Sequence, residues 1–236
     1  GRLVSIKEDS DVYTLQNSTR RSIYYYRDTS WLEWNEDNVS VVPGPIPGDT
    51  TDRLYFTGDD YPRVGNVSTL VSGSAGYPVN SFRLGIPAPA SAPTTAKSGT
   101  ADATQTPSDV SYVFTFVSGF GEEGPPSPAS AVFELTDTET VVVTMGSSLS
   151  GNFNFGATSG ALRRIYRSNT GSTNTTFQFV GEVPYATQTF TDTKDAAQLG
   201  EVLPSGTWIG PPNDNATLYP DGPLKGLIPL AQGVMA

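Results

Sequence analysis

Glycine and proline punctuate this chain so closely that no long helix has room to form. There are 24 Gly and 19 Pro among 236 residues. Proline lacks the N–H that a helix or an inner strand needs, and glycine makes the backbone costly to order. Between these breaks the residues are β-branched or aromatic, as in Ser22-Ile23-Tyr24-Tyr25-Tyr26, Trp31-Leu32-Glu33-Trp34 and Thr140-Val141-Val142-Val143. Such residues favour the pleated, half-buried surface of a sheet. The chain is therefore expected to be all-β, built from short antiparallel strands joined by turns.

What the chain lacks narrows its chemistry. It contains no His and no Cys, which excludes a Ser-His-Asp or Cys-His centre, an imidazole-bound metal, a thiolate site and a disulfide. With 14 Lys+Arg against 24 Asp+Glu the net charge is −10, which disfavours tight binding to a phosphate backbone. No catalytic, cofactor-binding or metal-binding residue is singled out, and no cofactor is expected. No apolar run approaches the ~18 residues of a membrane-spanning helix. The chain opens on Gly1-Arg2 without Met and closes on the apolar Gly226-Leu227-Ile228-Pro229-Leu230-Ala231. It reads as a piece of a longer polypeptide.

Residues 1–90 read as a β-meander, with strands at Val12–Leu15, Ser22–Tyr26, Trp31–Trp34, Val39–Val42 and Arg53–Phe56. Arg27-Asp28-Thr29-Ser30 is a good hairpin connection, and the aromatic pairs are those of a propeller blade or a small sandwich. Residues 91–106 are rich in Pro, Ala, Ser and Thr and nearly uncharged, so they are expected as a linker. A second run of strands fills 107–196. In Ser111–Val117 both alternating faces are apolar, which predicts a strand buried on two sides. Ala131–Leu135, Thr140–Met145, Leu162–Arg167, Phe177–Val183 and Thr189–Thr191 follow at the spacing of an immunoglobulin- or fibronectin-III-like sandwich. Gly151–Gly160 is read as a loop, and Asp195–Leu199 offers the one plausible helical turn. Residues 197–236 are irregular and are read as a return into the first body.

Several motifs invite chemistry and fail a physical test. Gly119-Phe120-Gly121-Glu122-Glu123-Gly124 matches the dinucleotide fingerprint, but Pro125-Pro126-Ser127-Pro128 forbids the helix whose N-terminus would meet a pyrophosphate. Carboxylates pair at Asp9 and Asp11, Asp49 and Asp52, Asp59 and Asp60, and Asp192 and Asp195; turn formation accounts for them more simply than catalysis or calcium. Glycosylation triplets begin at Asn17, Asn38, Asn66, Asn174 and Asn215, several of which a Ser/Thr-rich chain yields by chance. Tyr24, Tyr25, Tyr26, Trp31 and Trp34 suit a sugar-stacking platform, with core and cross-strand packing the better account.

Four stretches resemble structural proteins of tailed bacteriophages. They are Gly48–Asp59, Tyr77–Pro89, the pair Tyr112–Val117 and Gly121–Pro128, and the pair Arg164–Ser168 and Val180–Pro184. The nearest resemblance is to the tail nozzle (tail tubular protein B-like) and head-to-tail conduit family of short-tailed phages, of which this chain resembles a middle fragment. The resemblance implies a discontinuous propeller-like body carrying an inserted immunoglobulin/fibronectin-III-like sandwich. It also implies a homo-oligomeric ring, a hexamer, in the virion tail, with adaptor and fibre proteins as neighbours and DNA passing through without specific binding. It implies no enzyme. The alternative reading is a surface-displayed or secreted carbohydrate-binding β-sandwich adhesin, and a third is a glycan-degrading enzyme, which would need two carboxylates facing across a cleft.

Overall fold

The computed structural model describes residues 13–45, 48–73, 78–170, 175–208, 217, 219–230 and 234–235. The fold is nearly all β, its sheets built from antiparallel strand pairs. The chain forms two compact units, one of Gly1–Phe82 with Pro223–Ala236 and one of Arg83–Gly222.

In the first unit, β1 (Ser22–Tyr26) and β2 (Ser30–Trp34) form a hairpin in which Tyr25 faces Trp31 and Tyr24 faces Leu32. Arg27 and Asp28 both take φ of 54°, and the Thr29 N–H closes the turn on the Tyr26 carbonyl. Alternation sends Tyr26, Leu32 and Trp34 into a core shared with Leu54, Phe56 and Leu70. β3 (Ser40–Pro43), β4 (Leu54–Thr57), β5 (Arg63–Gly65) and β6 (Phe82–Arg83) follow in that order in a second sheet. All of β4 is buried. The turn after it needs Gly58, whose φ is +102° and whose Cβ, if present, would lie 2.2 Å from the Asn38 carbonyl oxygen. A one-turn helix, α1 (Val67–Leu70), supplies Leu70 to the core. The strand expected at Val12–Leu15 is not formed over Tyr13–Leu15, and Val12 lies outside the described residues. Tyr13 instead lays its ring on Trp31, 5.7 Å between centroids.

The second unit holds β7 (Thr94–Gly99), β8 (Ser108–Val110), β9 (Tyr112–Val117), β10 (Phe133–Leu135), β11 (Glu139–Thr144), β12 (Leu162–Thr170), β13 (Thr175–Pro184) and β14 (Thr189–Asp192). Sheets β13-β12-β9 and β14-β11-β7 face one apolar core, to which Phe114, Phe116 and Ile165 come from the first and Val141 and Val143 from the second. The arrangement is sandwich-like, and β8 and β10 pair beside it. As its doubly apolar pattern predicts, β9 is buried along its whole length. A single 3-10 turn, Ala196–Gln198, falls where the helical turn was expected. Past Gly222, β15 (Pro229–Leu230) and β16 (Val234–Met235) pair with each other in the first unit.

The division of the chain differs from the expected one. Residues 91–106 are not a linker throughout, because Thr94–Gly99 pair residue for residue with Thr144–Glu139. Thr and Ser suit a solvent-facing edge strand as well as they suit a connector, so composition alone does not separate the two. The boundary falls after Phe82 instead of residue 90, and the second unit runs to Gly222 instead of 196.

Candidate functional site

Polar groups inside the second unit are drawn from distant strands into three clusters. In the first, the Glu123 carboxylate accepts hydrogen bonds from Thr115 Oγ1 at 2.7 Å, Tyr166 Oη at 2.6 Å and Arg164 Nη1 at 3.0 Å. Burial, then the adjoining Glu123 carboxylate, pushes the Tyr166 phenol well above its usual range. In the second, buried Asp192 accepts from Tyr112 Oη and Arg167 Nη1, each at 2.7 Å, and from the Lys194 N–H at 2.9 Å. This ties β9 and β12 of one sheet to β14 of the other. The third centres on Arg163, which is wholly buried and among the described residues has no carboxylate partner. Its guanidinium bonds to the carbonyls of Tyr185 and Gly146 and lies 5.1–5.2 Å from the ring centroids of Tyr185 and Phe116. Burial lowers its pKa.

The motif residues turn out to be architectural. Gly119–Gly124 forms a turn in which the Ser118 hydroxyl accepts from the N–H groups of Phe120 and Glu122. No helix follows. Pro125–Ser130 instead runs back along the open edge of β9. There Ser127 and Ser130 donate their N–H groups to the carbonyls of Phe114 and Tyr112, while their hydroxyls accept the N–H groups of the same two residues. Gly124 is required for close approach, since a Cβ there would sit 2.7 Å from Ile86.

The paired carboxylates among the described residues do not assemble into a centre. Asp49 accepts from the Thr51 N–H and hydroxyl and from Arg53 Nε at 2.7 Å, which holds it well below the usual carboxylate range. Asp52 pairs with Arg27 at the surface. Asp59 and Asp60 lie within 4 Å of Arg63, and burial raises the Asp59 pKa. Asp195 accompanies the 3-10 turn. Asp9 and Asp11 lie outside the described residues, as do Asn174 and Asn215. Among the described residues no group of three or more Asp or Glu is placed to hold a metal ion.

The aromatic platform is divided by the pleat of its own hairpin. Tyr26 and Trp34 are buried in the first core and Tyr24 is packed against it, whereas Tyr25 and Trp31 lie on the outer face, 4.7 Å apart. On that face Glu33 is buried. It takes hydrogen bonds from Tyr13 Oη and the Gln16 N–H, and an ion pair from Arg20 at 3.2 Å.

A concavity lies elsewhere, in the second unit. It is a cleft of about 540 Å³ between β12–β13 and the segment Gly200–Pro204, lined by Arg164, Tyr166, Phe179, Glu182, Lys194 and Glu201 among others. Gly200–Leu203 is held on the edge of β13 by three backbone hydrogen bonds to Phe177 and Phe179. Arg164 and Lys194 both approach the Phe179 ring, at 6.0 and 5.9 Å from its centroid. Sequence inspection does not find this site. Its residues sit on separate strands, and only the register of β12 against β13 brings them together.

No protein-family model matches the chain, and no curated protein matches it either.

Proposed function

We propose that this chain is a non-enzymatic structural element of a tailed-bacteriophage virion, part of the tail nozzle or head-to-tail conduit. One observation carries the proposal. Three of the phage-like stretches, remote in sequence, interlock as framework: Ile86 seats against Gly124, and Glu123 of the Gly-Glu-Glu-Gly turn gathers Thr115, Arg164 and Tyr166. These residues hold strands in register. In this reading the first unit belongs to a propeller-like body and the second is an inserted immunoglobulin/fibronectin-III-like sandwich. The complete polypeptide forms a ring, a hexamer, flanked by adaptor and fibre proteins. A net charge of −10 suits a wall past which DNA slides without being held.

The test is immunoelectron microscopy with an antibody raised against the 236-residue chain. Tailed particles purified from the source culture should be labelled at the tail. Purified particles free of label, with the chain recovered only from the particle-free fraction, would overturn the proposal.

A further inference from the structure

We infer that the cleft between β12–β13 and Gly200–Pro204 binds an uncharged saccharide unit. The inference does not depend on the tail reading. At about 540 Å³ the cleft has the size of a small-ligand pocket, ~300–1,000 Å³. Its charged lining is balanced, with Arg164 and Lys194 against Glu182 and Glu201. Balance of that kind repels neither sign and selects neither. A polyphosphate needs a net cationic wall, and a lipid chain needs one without charges. A neutral polyhydroxylated ring meets the wall on its own terms, because each hydroxyl both donates and accepts.

Two of the four charges are already engaged. Arg164 bonds to Glu123 and Glu182 at 3.0 and 3.1 Å. The other two are open: among the described residues neither the Lys194 ammonium nor the Glu201 carboxylate has a hydrogen bond or an ion pair. The cleft therefore offers one strong donor and one strong acceptor, together with apolar surface from Phe179, Val202 and Pro204. Vicinal hydroxyls accept from Lys194 and donate to Glu201, and the C–H face of the ring covers the apolar part of the floor.

The test is a titration of the whole 236-residue chain followed by ¹H–¹⁵N spectra, with chitobiose, maltose, lactose and cellobiose as probes and glycylglycine as a zwitterionic control. One of the sugars should give saturable shifts at Gly181, Gly200 and Val202. Lys194→Met and Glu201→Gln should each weaken that binding about tenfold or more, the net worth of one hydrogen bond to a charged group. Both side chains lie outside the core, and unchanged dispersion of the Phe114 and Ile165 amides verifies the fold of each variant. The inference is overturned by the absence of saturable shifts with all of the sugars, by affinity unchanged in both variants, or by binding of glycylglycine alone.

Discussion

Asp192 shows how a single side chain joins two sheets. Its carboxylate is buried and meets Arg167 at 2.7 Å, with Tyr112 as a further donor. Removing one member leaves the other charge buried and unpaired, which typically costs ~3–5 kcal/mol, whereas an apolar replacement of both is often close to neutral. Arg167→Met should therefore lower unfolding stability by about that amount, and Arg167→Met with Asp192→Leu should recover most of it, as read by urea denaturation. Asp49 makes a prediction of a different kind. Thr51 and Arg53 depress its pKa from an ordinary value of 3.8. A carboxyl depressed on folding contributes stability that is complete above its unfolded pKa and is lost as pH falls below it. The stability gap between the natural chain and Asp49→Asn should thus be constant around neutrality and close below about pH 4, measured by denaturation across pH. The Asp49–Arg53 spacing is visible in the sequence. The Asp192 cluster is not, since its partner Tyr112 stands 80 residues away.

At the level of elements, the serines of the Pro-rich segment do for β9 what a neighbouring strand would do. Each returns two hydrogen bonds to one residue of the strand. The prolines, which lack N–H groups, prevent the segment from becoming a template in its turn. Ser127→Ala and Ser130→Ala remove the acceptors for the Phe114 and Tyr112 N–H groups, and each buried unsatisfied donor costs ~1–3 kcal/mol. The double variant should unfold at lower urea and associate through the exposed strand, seen as a rise in light scattering with concentration. Sequence periodicity identified most strands, β9 above all, because burial on both faces writes an uninterrupted apolar run. It missed β7, whose Thr and Ser lie mostly at the surface and carry no apolar signal. It placed Tyr24, Tyr25, Tyr26, Trp31 and Trp34 together, but the period of two sends them to opposite faces of one hairpin.

For the whole molecule, net charge governs the encounter with DNA. With a net charge of −10 the chain should bind double-stranded DNA weakly, with dissociation constants above the micromolar range at physiological salt and falling affinity as salt rises. Fluorescence anisotropy with a labelled duplex checks this, and submicromolar binding would contradict it. A head-to-tail ring needs two different patches on every subunit. On the proposed tail reading the chain supplies only part of such a subunit, so in isolation it should remain monomeric at micromolar concentration, where light scattering would detect a closed oligomer. The all-β class was legible because Gly, Pro and β-branched residues are a property of the chain as a whole. The division into units was less so. Where one core stops and another starts depends on contacts between remote residues, and the step from Phe82 to Arg83 within β6 carries no mark in composition.

The split construction of the first unit also sets an order in time. Its described residues include a hydrogen bond from the Leu227 N–H to the Thr57 hydroxyl, a contact spanning 170 residues. All of Arg83–Gly222 is synthesised between those two points. At a translation rate of ~5–20 residues per second, Thr57 waits roughly 10–30 s for its partner. The uninterrupted unit has everything it needs before that wait ends, so on the ribosome it matures first. The Thr57 end of β4 stays without that partner until the last stretch emerges, and that interval is when a nascent chain of this design is most exposed to chaperones and to its neighbours.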